Sequence, residues 1–376
     1  MNARAISVDV IRIPTKGPGD VSGLIQLIES GRIDPVSILA ILGKTEGNGG
    51  VNDFTREYAG SALSIALAPY LALSPTRVEE RIAFVMSGGT EGVLSPHITV
   101  FTRKLSDNND AQSALADKRL SIGIAHTRNF LPEEIGRSAQ LTETAKAVAA
   151  AMADAGIDDS SDVHFVQIKC PLLTSDRIEE ARGRGQRPVT TSAYGSMGYS
   201  RGASALGVAA ALGEVKGDIK DEDILKKYDL FSSVASTSAG IELMHNVIIV
   251  MGNSRAATSP FVIGHAVMRD AIDIEAVIDA LQSVGLRNEN SAPVTAGRLV
   301  NIFAKAEASP DGTVRGFRHT MLEDTDISAT RHARAAVGGL ISGLSGTGAV
   351  YVSGGAEHQG PPGGGPVAVI ARVYLP

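Results

Sequence analysis

Ser87 opens the string S-G-G-T-E ending at Glu91, Ser238 opens S-A-G-I-E ending at Glu242, and Ser353 opens S-G-G-A-E ending at Glu357. Each copy is a serine, a small residue, a glycine, a variable residue and a glutamate, and each follows an apolar stretch. Small residues after a strand let backbone N–H groups approach a ligand closely, so each copy is a candidate anion or carbonyl cradle with a hydroxyl beside it. One such string is an ordinary turn. Three spread over the whole chain indicate a triplicated unit.

Working outward, the same order of elements recurs. The first unit predicts strand 5–13, a helix over about 20–30 opened by Asp20, strand 36–42 ending at Gly43-Lys44, and a Gly/Asn loop. Arg56, a helix through about 72, strand 81–86, Ser87 and strand 98–102 complete it. The second predicts strand 120–126, helix 132–155, strand 163–168 ending at Lys169, and a long polar loop. Arg201, a helix through 212, Ser238 and strand 246–251 follow. The third predicts segment 261–268, helix 273–284, strand 299–304 before Lys305, then Arg334 at the start of a helical run to 344, strand 349–352, Ser353 and strand 367–374. The unit boundaries are 1–104, 112–250 and 256–376, with linkers expected at 105–117 and 252–259. The fold class is α/β: three homologous αβ repeats closed around a pseudo-threefold axis, with strand ends pointing at a central site.

Each unit therefore supplies a Lys, an Arg and a Ser. A serine hydroxyl needs a base, and lysine is one only when neutral, a state that burial and neighbouring cations favour. Lys44 and Lys305 each have a glutamate two positions on (Glu46, Glu307), which stabilises the ammonium if the strand continues. Lys169, followed by Cys170 and Pro171, has none. On this reasoning Lys169 is the base and Ser238 the nucleophile, with Arg56, Arg201 and Arg334 polarising carbonyls or holding an anion. The reaction class is hydrolysis of an amide or imide in an electron-poor small molecule.

Composition bounds the alternatives. The 376 residues are 43% hydrophobic, with net charge −6 and one cysteine. A basic footprint for nucleic acid is lacking, and neither a disulfide framework nor an apolar run of membrane-spanning length is present. The expected setting is cytoplasmic, without membrane or nucleic-acid partners. Gly43-Lys44-Thr45 has Ile38 where a phosphate-binding loop needs its first glycine, which argues against nucleotide binding. Cys170 reads as a packed residue, and His126, His164, His245 and His265 as structural. Arg331 lies one helical turn from Arg334 and competes for the third arginine role, with Arg334 preferred because R-A-A-V-G-G-L parallels the sequence after Arg201.

The strings at 42–56 (L-G-K-T-E-G-N-G-G-V-N-D-F-T-R), 84–97 (F-V-M-S-G-G-T-E-G-V-L-S-P-H), 167–174 (Q-I-K-C-P-L-L-T), 199–207, 303–312 and 351–366 resemble the cyanuric acid hydrolase/barbiturase family of ring-opening amidohydrolases. The resemblance spans essentially the whole chain. It implies three repeats around one central site, in a homotetramer, acting on cyanuric acid; barbituric acid is the alternative substrate, and a non-catalytic threefold binder of planar oxyanions a more distant one. It implies Ser238 as nucleophile and Lys169 as base. Substrate contacts would come from Arg56, Ser87, Gly88, Arg201, Ala239, Arg334, Ser353 and Gly354, with Lys44 and Lys305 completing two supporting dyads. It implies no organic cofactor. It further implies a structural metal held by Glu307 and by loop oxygens of Ala356, Gln359, Gly360, Pro361 and Gly364. An oxygen-only shell suits Mg²⁺ or Ca²⁺. A zinc site at His358 and His97 is disfavoured, since neither belongs to a spaced ligand pair.

Overall fold

A computed structural model describes residues 5–106, 117–286 and 297–373. The first unit runs β1 (Ala5–Pro14), α1 (Ser22–Glu29), β2 (Ile38–Thr45), α2 (Phe54–Leu71), α3 (Pro75–Arg81), β3 (Ala83–Gly88) and β4 (His97–Ser106). The second runs β5 (Arg119–His126), α4 (Ser138–Asp154), β6 (Val163–Pro171), α5 (Ser175–Gly183), α6 (Ala193–Leu212), β7 (Ala235–Gly240) and β8 (Val247–Ser254). The third runs β9 (Phe261–Met268), α7 (Ile274–Ser283), β10 (Leu299–Ala306), a small hairpin of β11 (Thr313–Val314) and β12 (Phe317–Arg318), α8 (Ala329–Ser345), β13 (Tyr351–Gly354) and β14 (Gly365–Arg372).

Three sheets of four strands share one topology: β1-β4-β2-β3, β5-β8-β6-β7 and β9-β14-β10-β13. In each, the unit's last strand lies antiparallel between its first and second, and the second pairs in parallel with the third. A parallel pair needs a crossover, and helices supply it every time. This is the α/β threefold repeat expected from the pentapeptides.

Side-chain alternation divides each sheet between two cores. In β2, Ile41 packs on the unit's own helices, against Leu24, Leu63, Leu67 and Val78. Its neighbours Ala40 and Leu42 face the other way, into a core shared by all three sheets. Phe165 and Phe303 do the same from β6 and β10. The Phe303 ring centroid lies 5.2 Å from Phe165, 5.7 Å from Tyr351 and 6.3 Å from Phe101, so one aromatic cluster joins the three units.

Several expectations change. Helices α3 and α5 occupy stretches the sequence reading left as unstructured connection. Asp20 lies one residue before the cap of α1, where its carboxylate accepts from the Ser22 N–H and hydroxyl. Most of the linker expected at 105–117 lies outside the described residues. The one at 252–259 is not a free span. Gly252 to Ser254 finish β8, and Ile6 pairs with it through Ile6 N–H to Ala256 O and Thr258 N–H to Ile6 O, both 2.8 Å.

Candidate active site

The three lysine–serine pairs are set by strand register. Lys44 lies opposite Ser87, Lys169 opposite Ser238 and Lys305 opposite Ser353, each across the parallel pair of its sheet. Alternation turns all six inward. Lys44 continues the Ala40–Leu42 face, Lys169 and Lys305 follow Phe165 and Phe303, and Ser87 and Ser353 follow Val85 and Tyr351. The serines thus sit inside strands rather than in the loops after them, and Gly43-Lys44-Thr45 is strand, not phosphate loop.

Two pairs are hydrogen-bonded and one is not. Lys44 Nζ donates to Ser87 Oγ at 3.1 Å and Lys305 Nζ to Ser353 Oγ at 3.1 Å. Lys169 Nζ points instead to Met86 O at 3.3 Å and to Glu242 Oε1 at 3.2 Å. Ser238 Oγ lies 3.2 Å from Ser353 Oγ. Burial depresses all three ammonium groups. Lys44, also facing Arg334, falls well below its usual range, and Lys305, facing Arg201, is lowered to about 7. Lys169 is lowered too, by burial above all, against the opposing pull of Glu242. This corrects the sequence argument. Glu46 is exposed on the surface, while the acid the sequence reading did not see at Lys169 is Glu242, from Ser238's own pentapeptide.

Those pentapeptide glutamates form a ring with the arginines of neighbouring units. Glu91 of the first unit holds Arg334 of the third through Nε (2.8 Å) and Nη2 (2.6 Å). Glu357 of the third holds Arg201 of the second through Nε (2.7 Å) and Nη2 (2.5 Å). Glu242 of the second faces Arg56 of the first, but only at 3.6 Å. Fork-on-fork pairing fixes a guanidinium in a plane as a lysine could not. It also accounts for the central glycines of two copies. Gly89 (φ 109) and Gly355 (φ 77) have left-handed backbones, and a Cβ there would stand 2.5 Å from the Arg334 side chain and 2.6 Å from that of Arg201. The role of the glutamates was missed by sequence reasoning, although three inward-facing arginines needed three acids and the fifth pentapeptide position supplies them.

Helices α2, α6 and α8 deliver Arg56, Arg201 and Arg334 to one small pocket. Every residue expected to touch substrate lines it: the three arginines, Ser87, Ser238 and Ser353, and Gly88, Ala239 and Gly354, with Met86 and Met197 as apolar wall. Arg331 stays at the rim, its side chain 39% exposed and bonded to Glu91, whereas Arg334 is buried in the wall. The pocket thus presents three hydroxyls and three guanidinium groups at threefold-related positions, a fit for a small planar ring carrying carbonyls.

Residues 9–372 match the family described as amidohydrolase ring-opening protein. The chain belongs to the ring-opening amidohydrolases. A cyanuric acid amidohydrolase of Bradyrhizobium diazoefficiens is 75% identical, over 98% of this chain and 99% of that protein. One from Pseudomonas sp. strain ADP is 61% identical, over 97% and 99%. A solved cyanuric acid hydrolase, described as an evolutionary innovation by structural concatenation, superposes with a TM-score of 0.92 at 60% identity, covering 98% of this chain and 100% of that one.

In this ring-opening amidohydrolase, Glu307 is half-buried beside Glu357, and desolvation followed by that second carboxylate raises it to about 7. Its oxygens accept from Ala356 N–H at 2.8 Å and Ala308 N–H at 3.2 Å. Ala356, Gln359, Gly360, Pro361 and Gly364 lie on the loop between β13 and β14. The Gln359 side chain is committed elsewhere, accepting from Thr237 N–H at 2.7 Å. Among the described residues no three His, Cys, Asp or Glu side chains converge as a metal cluster. A cation here would draw on one carboxylate and backbone carbonyls, a donor set that fits a hard ion. His358 is held at both ring nitrogens, by Leu225 N–H (2.8 Å) and Leu230 O (2.6 Å), so it is not available to zinc; His97 is held through Nδ1 by Ser95 O (2.8 Å), and among the described residues no set of ligands gathers at its other nitrogen. His164 meets His265 at 2.9 Å, and the His126 ring packs tilted against His245, centroids 5.5 Å apart. Cys170 is buried, and burial pushes its thiol up, away from thiolate chemistry. Among the described residues no helix is long and apolar enough to cross a membrane.

Proposed function

We propose that this protein opens cyanuric acid by hydrolysing one ring amide to carboxybiuret, which loses CO₂ to give biuret, with Ser238 as nucleophile and Lys169 as base. The observation that carries the reading is the convergence of three serines and three arginines on one small pocket, with a lysine set opposite each serine across its strand pair. Cyanuric acid has three equivalent carbonyls alternating with three N–H groups, so each in-plane third-turn presents the same contacts and the orientational cost of productive binding falls. The full-length relatives named cyanuric acid amidohydrolase support the same substrate.

Neutral Lys169 takes the proton of Ser238, and the serine oxygen adds to a ring carbonyl. The oxyanion is met by backbone N–H groups beside the serines and by the clamped arginines. Collapse breaks the C–N bond as the lysine returns its proton to the leaving nitrogen. Water, deprotonated by the same lysine, then releases the acyl group and restores Ser238. Ser87 and Ser353, held by Lys44 and Lys305, grip the other two carbonyls. Glu307 and the carbonyl-bearing loop would hold Mg²⁺ or Ca²⁺, which would fix the loop that follows Ser353 and carries Glu357. The expected assembly is a cytoplasmic homotetramer, for which the exposed Phe54, Tyr58 and Ile65 of α2 offer an apolar face.

Loss of ring absorbance with cyanuric and with barbituric acid tests the substrate. The expected result is turnover of cyanuric acid and at most weak turnover of barbituric acid; the reverse order overturns it. Ser238→Ala is expected to lower kcat by at least about a thousandfold, and near-full activity would remove the assignment.

A further inference from the structure

The ring of glutamate–arginine clamps is complete twice and broken once, and the break falls at Lys169. Arg201 and Arg334 each donate Nε to a pentapeptide glutamate. Arg56 Nε is buried and makes no hydrogen bond, although Glu242 stands 3.6 Å away. The Glu242 carboxylate is instead spent on Lys169, at 3.2 Å. Where the clamp is closed, the lysine of the pair reaches its serine at 3.1 Å; where it is open, the lysine–serine hydrogen bond is not made.

We propose that Glu242 is a positioning residue with two stations: bound to Lys169 it keeps that lysine charged and off Ser238, and moved onto Arg56 it completes the third clamp and releases Lys169 to act. The proposal rests on the assignment of Ser238 and Lys169 above. Its reference states lie within the molecule, because the closed geometry is the one already adopted by Arg201–Glu357 and Arg334–Glu91. The move is small, since both partners flank the same carboxylate oxygen. A carbonyl drawing Arg56 into the pocket would hold its guanidinium where Glu242 can meet it, coupling substrate arrival to base activation. The groups facing Lys169 are Glu242, Arg56 and Cys170; Arg177, bonded to Leu172 O and Ile241 O, also faces Glu242. Glu57, His126 and His245 line the cleft beyond them.

The test is the pH profile of kcat/KM in variants whose effects have opposite sign. A lysine base is active when neutral, so kcat/KM rises through its ionisation. Glu242→Gln removes the carboxylate that keeps Lys169 charged, and the acid limb is expected to move down by about one pH unit or more, with KM raised because Arg56 loses its clamp. Arg56→Ala leaves Glu242 on Lys169 permanently, and the limb is expected to move up by about one unit. In the double variant that upward shift is expected to shrink to less than half, since no carboxylate remains to be released. Glu91→Gln is the control, raising KM without moving the limb. Unmoved limbs in Glu242→Gln or in Arg56→Ala overturn the proposal, as does an Arg56→Ala shift of equal size in both backgrounds. Should Glu242→Gln fail to fold, Glu242→Ala takes its place in both the single and the double variant. Ser238→Ala is run in parallel: activity surviving there removes the nucleophile assignment, whereas its loss together with unmoved limbs overturns the two-station role only.

Discussion

At the scale of single residues, the site depends on arginines that cannot be exchanged for lysines. Arg334 reaches Glu91 through two nitrogens while presenting its face to the pocket. A lysine keeps the charge but not the fork, so Arg334→Lys is expected to raise KM for cyanuric acid about tenfold or more while kcat changes less. Steady-state kinetics reads that split. Lys44 and Lys305 already donate to their serines, so Lys44→Met is expected to weaken binding, whereas Lys169→Met removes the base and turnover with it. Residue identities were largely legible: the three serines, lysines and arginines stand out because each type recurs in the same order. The state of Lys169 was not. Glu242 is distant from it along the chain, and adjacency in sequence pointed to Glu46 and Glu307 as the acids that matter, whereas the fold brings a glutamate to Lys169 from the bend that follows the neighbouring strand.

At the scale of elements, the alternation of β2, β6 and β10 places the chemistry. The same period that sends Leu42 and Phe303 to the shared core sends Lys44 and Lys305 to its edge. A one-residue slip would turn every one of these lysines into its own unit's helices. This was readable in principle, because V-S-I-L-A-I-L-G-K alternates over both buried faces, but a continuous apolar run hides which face is which. Helices α3 and α5 were hidden for another reason, since the short polar runs P-T-R-V-E-E-R and S-D-R-I-E-E-A-R-G bury only one or two residues each. The loop after β13 brings Glu307 and Glu357 together. If it holds a cation, Ca²⁺ or Mg²⁺ is expected to raise Tm in the wild type and to leave Glu307→Gln unmoved, by differential scanning fluorimetry.

At the scale of the whole molecule, three sheets of one topology meet at Phe101, Phe165, Phe303 and Tyr351. Phe303 touches the others from all sides, so Phe303→Ala is expected to lower unfolding stability by about 3–5 kcal/mol in urea titration, with activity lost in the same transition because the site has no existence within one unit. Repetition builds the pocket, and in the proposed mechanism its failure at one station selects the serine that reacts. The central claim is therefore that three near-equivalent serines carry one acyl group. Acid-quenched enzyme in steady state with cyanuric acid, digested and analysed by mass spectrometry, reads this directly. A single acyl adduct is expected on the peptide containing Ser238 and none on Ser87 or Ser353. An adduct on either of those two, with Ser238 unmodified, would contradict it.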